Sequence, residues 1–341
     1  MAIDIHAHYI PPSVVERVKR EGRAFGVEIA EWVSDGPVLR FGKGLQPIRP
    51  IVNEMRDLAD REKRLKESEV DQQILSTWLD IVGYILPVEE GCKWSRLLNR
   101  CIAEELKFES RAGTFKATAT VPLQDGGRAA EELEFAVKEC GLNGVIIGSH
   151  VNGKNLDDPA LQPFWKMAER LRTPIIIHPH NPLGIERLGS YFLTHLVGLP
   201  ADTTVAAASL YCGGVIDRFP DLRVILCHGG GFLPYQMGRL NRGREIREDI
   251  QKSTRRIGRE ALSWFYYDTI VFDPRVLEFL VSEAGADHVL LGSDCPFGIG
   301  DPHPIRVVEQ ARLSPEEREC ILVHNAVRLF GLGSDAAEKK A

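Results

Sequence analysis

Short runs of Val, Ile, Leu and aromatic residues recur along the chain, with amphipathic stretches between them. The runs are Ile3–His6, Val70–Thr77, Phe115–Val121, Gly144–Gly148, Pro174–His178, Leu222–Cys227, Phe265–Thr269 and His288–Gly292. Most are apolar at nearly every position. A strand wetted on one face alternates apolar with polar, whereas a strand covered on both faces does not. These runs therefore read as strands of a parallel sheet buried on both sides. Between them lies helical spacing, as in Arg96–Glu109, Arg128–Glu139, Leu161–Leu171 and Pro274–Ala284. Eight strands alternating with helices predict a (β/α)8 barrel of the TIM type, an α/β fold, with a doubly wound open sheet as the alternative.

Two segments break the repeat. Residues 12–57 form a long excursion after the first strand and contain two small strand-like runs, Phe25–Ile29 and Val38–Phe41. They predict a β-rich insertion covering the barrel mouth. Residues His180–Pro200 follow the fifth strand and carry Tyr191, Phe192 and His195. Segments of this length without a place in the repeat are commonly functional. Residues 1–332 are expected to form one domain and 333–341 a polar, frayed tail.

Composition narrows the class. With 341 residues, 44% of them hydrophobic, the chain can bury a core that needs no disulfide to hold it. The net charge of −6 is interspersed, with no basic stripe for nucleic acid and no polybasic block for a membrane surface. No apolar run reaches the length of a membrane span. Seven cysteines, an odd number without a C-x-x-C pair, suit a reducing compartment. The first strand begins near Ile3, which leaves no room for a signal peptide, so a cytoplasmic protein is expected.

The chemistry sits at the strand ends. Side chains alternate along a strand, so His6 and His8 share a face. His178, His228 and Asp294 each close a later apolar run. In a barrel the C-terminal strand ends share one mouth, so these five side chains are expected to meet there. His6, His8, His178 and Asp294 together suit one Lewis-acidic divalent ion per subunit, Zn2+ by default and Mn2+ as an alternative. The fourth run ends in Gly148-Ser149 without a lysine, which argues against a carbamylated bridge to a second ion. His228 precedes Gly229-Gly230-Gly231, and its role as ligand or as acid/base is open. Taken singly, His178 reads as a core histidine, Asp294 as a helix cap and His228 as a turn residue. Their repeated placement at strand ends argues against that. No dinucleotide fingerprint or phosphate loop signals an organic cofactor.

These features resemble the metal-dependent amidohydrolase superfamily, and within it the non-oxidative decarboxylases typified by aminocarboxymuconate semialdehyde decarboxylase. The resemblance covers nearly the whole chain. It rests on Ile3-Asp-Ile-His-Ala-His8, Val121-Pro-Leu-Gln124, Gly144–Asn152, Leu196-Val-Gly-Leu-Pro-Ala-Asp-Thr-Thr204, Cys227-His-Gly-Gly-Gly231, Gly238-Arg239 and Leu291-Gly-Ser-Asp-Cys-Pro-Phe297. It implies zinc held by His6, His8, His178 and Asp294, with His228 as acid/base; Asp294 also stands as a candidate for proton transfer. It implies a homodimer in which Arg239 reaches the partner's site. A second substrate arginine would be Arg49, with Arg61 competing. Where that decarboxylase has His-Pro-Trp, this chain has His178-Pro179-His180-Asn181. His180 replaces a flat apolar wall with a hydrogen-bonding group, either for the substrate or for orienting a ligand. The expected reaction is loss of carbon dioxide from an unsaturated, aromatic or heteroaromatic carboxylate, hydroxylated or amino-substituted. Hydrolysis of an amide, lactone or ring bond uses the same ligands and is the alternative.

Overall fold

The computed structural model describes residues 1–42, 45, 47–108 and 113–332. The tail expected at 333–341 and Glu109, the expected end of one helix, lie outside the described residues. Among the described residues no helix is long and apolar enough to cross a membrane.

The strands are β1 (Ile3–His8), β2 (Val27–Val33), β3 (Gly36–Phe41), β4 (Gln72–Ser76), β5 (Phe115–Ala119), β6 (Gly144–Gly148), β7 (His150–Val151), β8 (Lys154–Asn155), β9 (Pro174–His178), β10 (Arg223–Leu226), β11 (Phe265–Asp268) and β12 (Val289–Leu290). Eight of them form one sheet in the order β1-β4-β5-β6-β9-β10-β11-β12. Every neighbouring pair is parallel. The sheet then closes on itself. Ile5 N donates to Leu291 O at 2.9 Å, Asp294 N to His6 O at 2.8 Å and His8 N to Cys295 O at 2.7 Å. An open doubly wound sheet has no such bonds between its first and last strands, so the fold is the (β/α)8 barrel.

All eight expected runs are sheet strands; five are trimmed at their ends, Gly144–Gly148 and Pro174–His178 match, and the first continues to His8. The buried strand residues carry the main core: Ile3, Ile5, Val145, Ile146, Ile147, Ile175, Ile176, Ile177, Val224 and Ile225 are each fully buried. The helix expected from Arg96 starts earlier, at Val88. In the 12–57 segment β2 and β3 pair as an antiparallel hairpin. The first of these strands runs over Val27–Val33 rather than Phe25–Ile29. Phe25 closes a 3-10 turn, and Gly26 with φ 69° sets the chain into the strand. The hairpin's outer face is solvated, so Glu28 and Glu31 are tolerated within it. A second apolar cluster lies beneath, built from Phe25, Val27, Leu39, Phe41, Trp94 and neighbours, and it reaches the barrel through Trp78 and Phe297.

Below the mouth, a buried polar network ties β1 to the closing segment. Asp4 accepts from Gln73 Nε2 at 2.6 Å and from Ser293 Oγ at 2.5 Å. Arg61, only 1% exposed, donates to Gln73 Oε1 at 3.1 Å, to the His8 carbonyl at 2.6 Å and to the Glu54 carbonyl at 3.1 Å. This guanidinium is spent on the scaffold and does not face the cavity. Arg61→Ala is therefore expected to leave two buried acceptors and one part-buried carbonyl unpaired and to lower stability by about 3 kcal/mol. The check is a fall in the urea midpoint at unchanged slope. An unchanged midpoint would show that the guanidinium has no structural part.

Candidate active site

The C-terminal ends of β1, β9, β10, β11 and β12 deliver polar side chains to a common point. From β1 come His6 and His8, 1% and 0% exposed. Their Nε2 atoms are 3.3 Å apart. Asp294 follows β12 with φ 59°, a left-handed conformation that is costly for a non-glycine residue. Its Oδ1 lies 3.1 Å from His8 Nε2 and 3.4 Å from His6 Nε2. His178 ends β9; its Nδ1 donates to the Pro179 carbonyl at 2.9 Å, while its buried Nε2 has no hydrogen-bond partner among the described residues. The nearest ligand atoms of His6, His8, His178 and Asp294 all lie within 4.8 Å of one another.

This donor set fits a divalent ion. Imidazole and carboxylate ligands bind zinc at roughly 2.1 Å, which sets tetrahedral ligand atoms about 3.4 Å apart. Spacings of 3.1–3.4 Å match that separation. On His6 and His178 the Nδ1 side is occupied by a fixed acceptor, which leaves the Nε2 lone pair free for an ion. Burial pushes His8 below the ordinary imidazole range. Burial, reinforced by the nearby rings of His8, His6 and His228, pushes His178 well below it. Burial opposes the charge on Asp294, yet the imidazoles of His228, His6 and His8 around it hold it well below the usual carboxylate range. Those two imidazoles are thus neutral and Asp294 is anionic at neutral pH, which is the ligand form.

Asp268, at the end of β11, was not among the expected site residues. Its Oδ2 accepts from His6 Nδ1 at 2.8 Å and from His228 N at 2.9 Å. Its Oδ1 accepts from Gly229 N at 2.8 Å and Ile270 N at 3.1 Å. One carboxylate thereby fixes both the tautomer of His6 and the backbone that carries His228. It sits in the seventh run at the same strand-end position as the other residues, and that rule, applied once more, would have found it. Asp268 also approaches Cys227 and His6 closely enough to suggest a second ion site. Its oxygens are already engaged by four N–H donors, however, and burial pushes the Cys227 thiol up to about 11.

His228 stands beside the four ligands rather than among them. Its Nε2 is 3.7 Å from Asp294 Oδ2, and its side chain is 14% exposed. The turn that presents it is left-handed from His228 through Gly231, with φ values of 57°, 59°, 77° and 62°. A Cβ at Gly229, Gly230 or Gly231 would lie 2.4 Å from Val271, 2.6 Å from Tyr267 or 2.1 Å from the Pro200 carbonyl. Both the backbone and the space require the three glycines.

A wide cavity of roughly 1810 Å³ opens above these residues. Among its lining are His178, His180, His228, Asp294, Arg49 and His195. Arg49 is the contribution of the 12–57 segment; it donates to Asp80 at 3.1 Å and lies over Trp78 at 4.9 Å. His180 stacks on His150 at 4.5 Å, and burial, with His150 beside it, pushes its ring down to about 3. Arg239 is exposed on the helix Leu233–Ile246 and does not line this chain's cavity. The structure thus gathers every expected residue except Arg239 and Arg61.

Residues 3–332 match the amidohydrolase family, and the chain belongs to that family. Over 335 residues it is 33% identical to the 2-amino-3-carboxymuconate-6-semialdehyde decarboxylase of Dictyostelium discoideum, covering 97% of this chain and 92% of that protein. It is 30% identical over 294 residues to the gamma-resorcylate decarboxylase of a Polaromonas species, covering 81% and 88%. Among solved structures, 2,6-dihydroxybenzoate decarboxylase from Rhizobium superposes with a TM-score of 0.78 at 26% identity over 98% of this chain and 99% of that one.

Asp268→Asn is expected to weaken ion binding about 10- to 100-fold, because the amide no longer holds the His6 tautomer. Competition against a metallochromic chelator measures this directly. Unchanged affinity would remove Asp268 from the site.

Proposed function

We propose that this protein releases carbon dioxide from a hydroxylated or amino-substituted aromatic or unsaturated carboxylic acid, on one divalent ion held by His6, His8, His178 and Asp294. The protein is a carboxy-lyase of the amidohydrolase superfamily, and its chemistry is metal-dependent and non-oxidative. What carries the reading is the placement of His228 beside a complete ligand set, in a chain related over nearly its full length to decarboxylases. A hydrolase would use the same ligands, so the geometry alone favours neither; relatedness favours decarboxylation.

Zinc is the ion we assign, since three imidazole nitrogens and one carboxylate oxygen suit it, with manganese as the alternative. Such an ion supplies Lewis acidity toward substrate oxygens. The other steps belong to the side chains. Arg49 binds the substrate carboxylate at the cavity rim, pre-set by Asp80 and Trp78. His180 offers a hydrogen bond from the cavity wall. His228 delivers a proton from Nε2 to the carbon that bears the carboxylate, with Asp294 Oδ2 beside it. A C–H bond forms there and conjugation is lost. The C–C bond then breaks, its electron pair returns to the conjugated system, and carbon dioxide leaves.

The functional unit we propose is a homodimer of single-domain subunits. Arg239 cannot serve its own cavity from its exposed position, so it acts on the partner's. Tyr191, Phe192, Leu196 and Tyr235 are exposed by 88%, 53%, 55% and 81%, an apolar surface that a second copy would cover. The 12–57 excursion acts as a partial cover of the mouth. The cysteines are all free, which fits a cytoplasmic location.

His228→Ala is expected to cut carbon dioxide release from 2,6-dihydroxybenzoate or a related hydroxylated or amino-substituted acid by about 100-fold or more, with bound metal unchanged by elemental analysis. Mass spectrometry of the wild-type products checks the reaction itself. Gain of water or cleavage of an amide in place of carbon dioxide loss would contradict the proposal. The dimer is tested by mixing. Arg239→Ala and His228→Ala subunits, each inactive alone, should together recover about a quarter of wild-type activity, because half of the dimers carry one intact site of two. No recovery from a demonstrably mixed dimer would refute action from the partner subunit.

A further inference from the structure

The segment Leu199-Pro-Ala-Asp202-Thr-Thr204 carries no group that touches the ligand cluster, yet two of its polar side chains, Asp202 and Thr204, bind the two loops that do. It opens the helix Leu199–Cys212, which lies between the segment following β9 and the turn following β10.

Asp202 is 5% exposed. Its Oδ2 accepts from Ser149 Oγ, and its Oδ1 accepts from Leu183 N at 3.3 Å. Ser149 in turn donates its backbone N–H to the His178 carbonyl at 3.1 Å. His150, the next residue, lies 3.0 Å from the His180 carbonyl and 3.2 Å from the Asn181 carbonyl through Nε2. The backbone from His178 to Leu183 is therefore fastened at both ends to the residues just after β6, and Asp202 makes the distal fastening. Asn181, in the middle, holds φ 43°, a conformation that has to be imposed from outside.

Thr204 lies two residues further along the same helix and so faces a different side. Its hydroxyl donates to the Pro200 carbonyl at 2.9 Å and accepts from Phe232 N at 2.7 Å. Phe232 ends the left-handed His228–Gly231 turn, and Gly231 packs against the same Pro200 carbonyl. Thr204 thus holds the exit of the turn that presents His228.

We infer that Asp202 and Thr204 are positioning residues: one helix end holds the His178–His180 loop with Asp202 and the His228 turn with Thr204, and so sets the spacing between substrate wall and proton donor. This rests on the roles given above to His180 and His228. Small displacements of reacting groups are costly, and a shift near 1 Å can lower rate by about 100-fold.

The test uses the full-length, metal-loaded protein with Asp202→Ala, Asp202→Asn, Thr204→Val and Thr204→Ser. Hydrogen–deuterium exchange by mass spectrometry reads peptides spanning residues 179–184 and 229–234, alongside kcat and KM for 2,6-dihydroxybenzoate or whichever acid the wild type turns over best. Asp202→Ala should speed exchange in 179–184 and raise KM roughly tenfold. Thr204→Val should speed exchange in 229–234 and lower kcat roughly tenfold at unchanged KM. Asn at 202 and Ser at 204 should recover most of each effect. Unchanged exchange in both peptides would overturn the inference. So would exchange that rises across the whole barrel while kcat and KM per metal-loaded molecule stay at wild-type values. A wild type that decarboxylates nothing would defeat the proposed function instead, and the exchange data would still decide the anchoring.

Discussion

The site depends on the closure of the barrel between its first strand and its last. Three backbone hydrogen bonds join β1 to the segment Leu291–Cys295, and one of them runs from Asp294 N to the His6 carbonyl. That bond places the Asp294 carboxylate against two imidazoles from the opposite end of the chain. Without closure, His6 and His8 would be a His-x-His pair on an edge strand. The Asp4–Gln73–Arg61–Ser293 network lies directly under the seam and pairs the Asp4 carboxylate with Gln73 and Ser293, and Gln73 with Arg61. Buried charge is tolerable only when paired, so this network and the ligand cluster above it are bound to one another.

A second constraint follows from burial. Four ligand groups packed out of water must each be held in one tautomer and one charge state. Asp268 fixes the tautomer of His6, and the Pro179 carbonyl fixes that of His178. His8 and His178 are kept neutral by burial, and Asp294 is kept anionic by the imidazoles around it. Three of the four ligands, His8, His178 and Asp294, are therefore in the charge state that receives a cation. His228 escapes that confinement: its side chain is partly exposed and its backbone is held by Asp268 from below. The same carboxylate thus separates a residue that binds from a residue that reacts.

The barrel was legible in the sequence because strands buried on both faces are apolar at most positions. The ligands were legible because each sits where such a run stops. Asp268 obeys the same rule and was passed over, since a lone Asp after Tyr-Tyr carries no spacing signal. Arg61 and Arg49 could not be separated by type or by neighbours. What distinguishes them is that one is sealed among backbone carbonyls while the other is held by Asp80 at the rim, and only the three-dimensional packing reveals it. The first hairpin strand was misplaced because its solvated face breaks the apolar pattern. The helix Leu199–Cys212 shows no stripe of its own; it buries Ala206, Ala207, Leu210 and Tyr211 on one side while Asp202 and Thr203 are buried near its start. Its function as a clamp lies in side chains that reach backbone far away in sequence, which no local pattern encodes.

The central claim is that His6, His8, His178 and Asp294 hold one divalent ion that the chemistry requires. X-ray absorption at the zinc edge of the zinc-loaded protein tests it most directly. The account predicts scattering from three imidazoles and a light oxygen ligand, no sulfur, and loss of one imidazole contribution in His178→Ala. A sulfur ligand from Cys227, or a spectrum unchanged by His178→Ala, would contradict it.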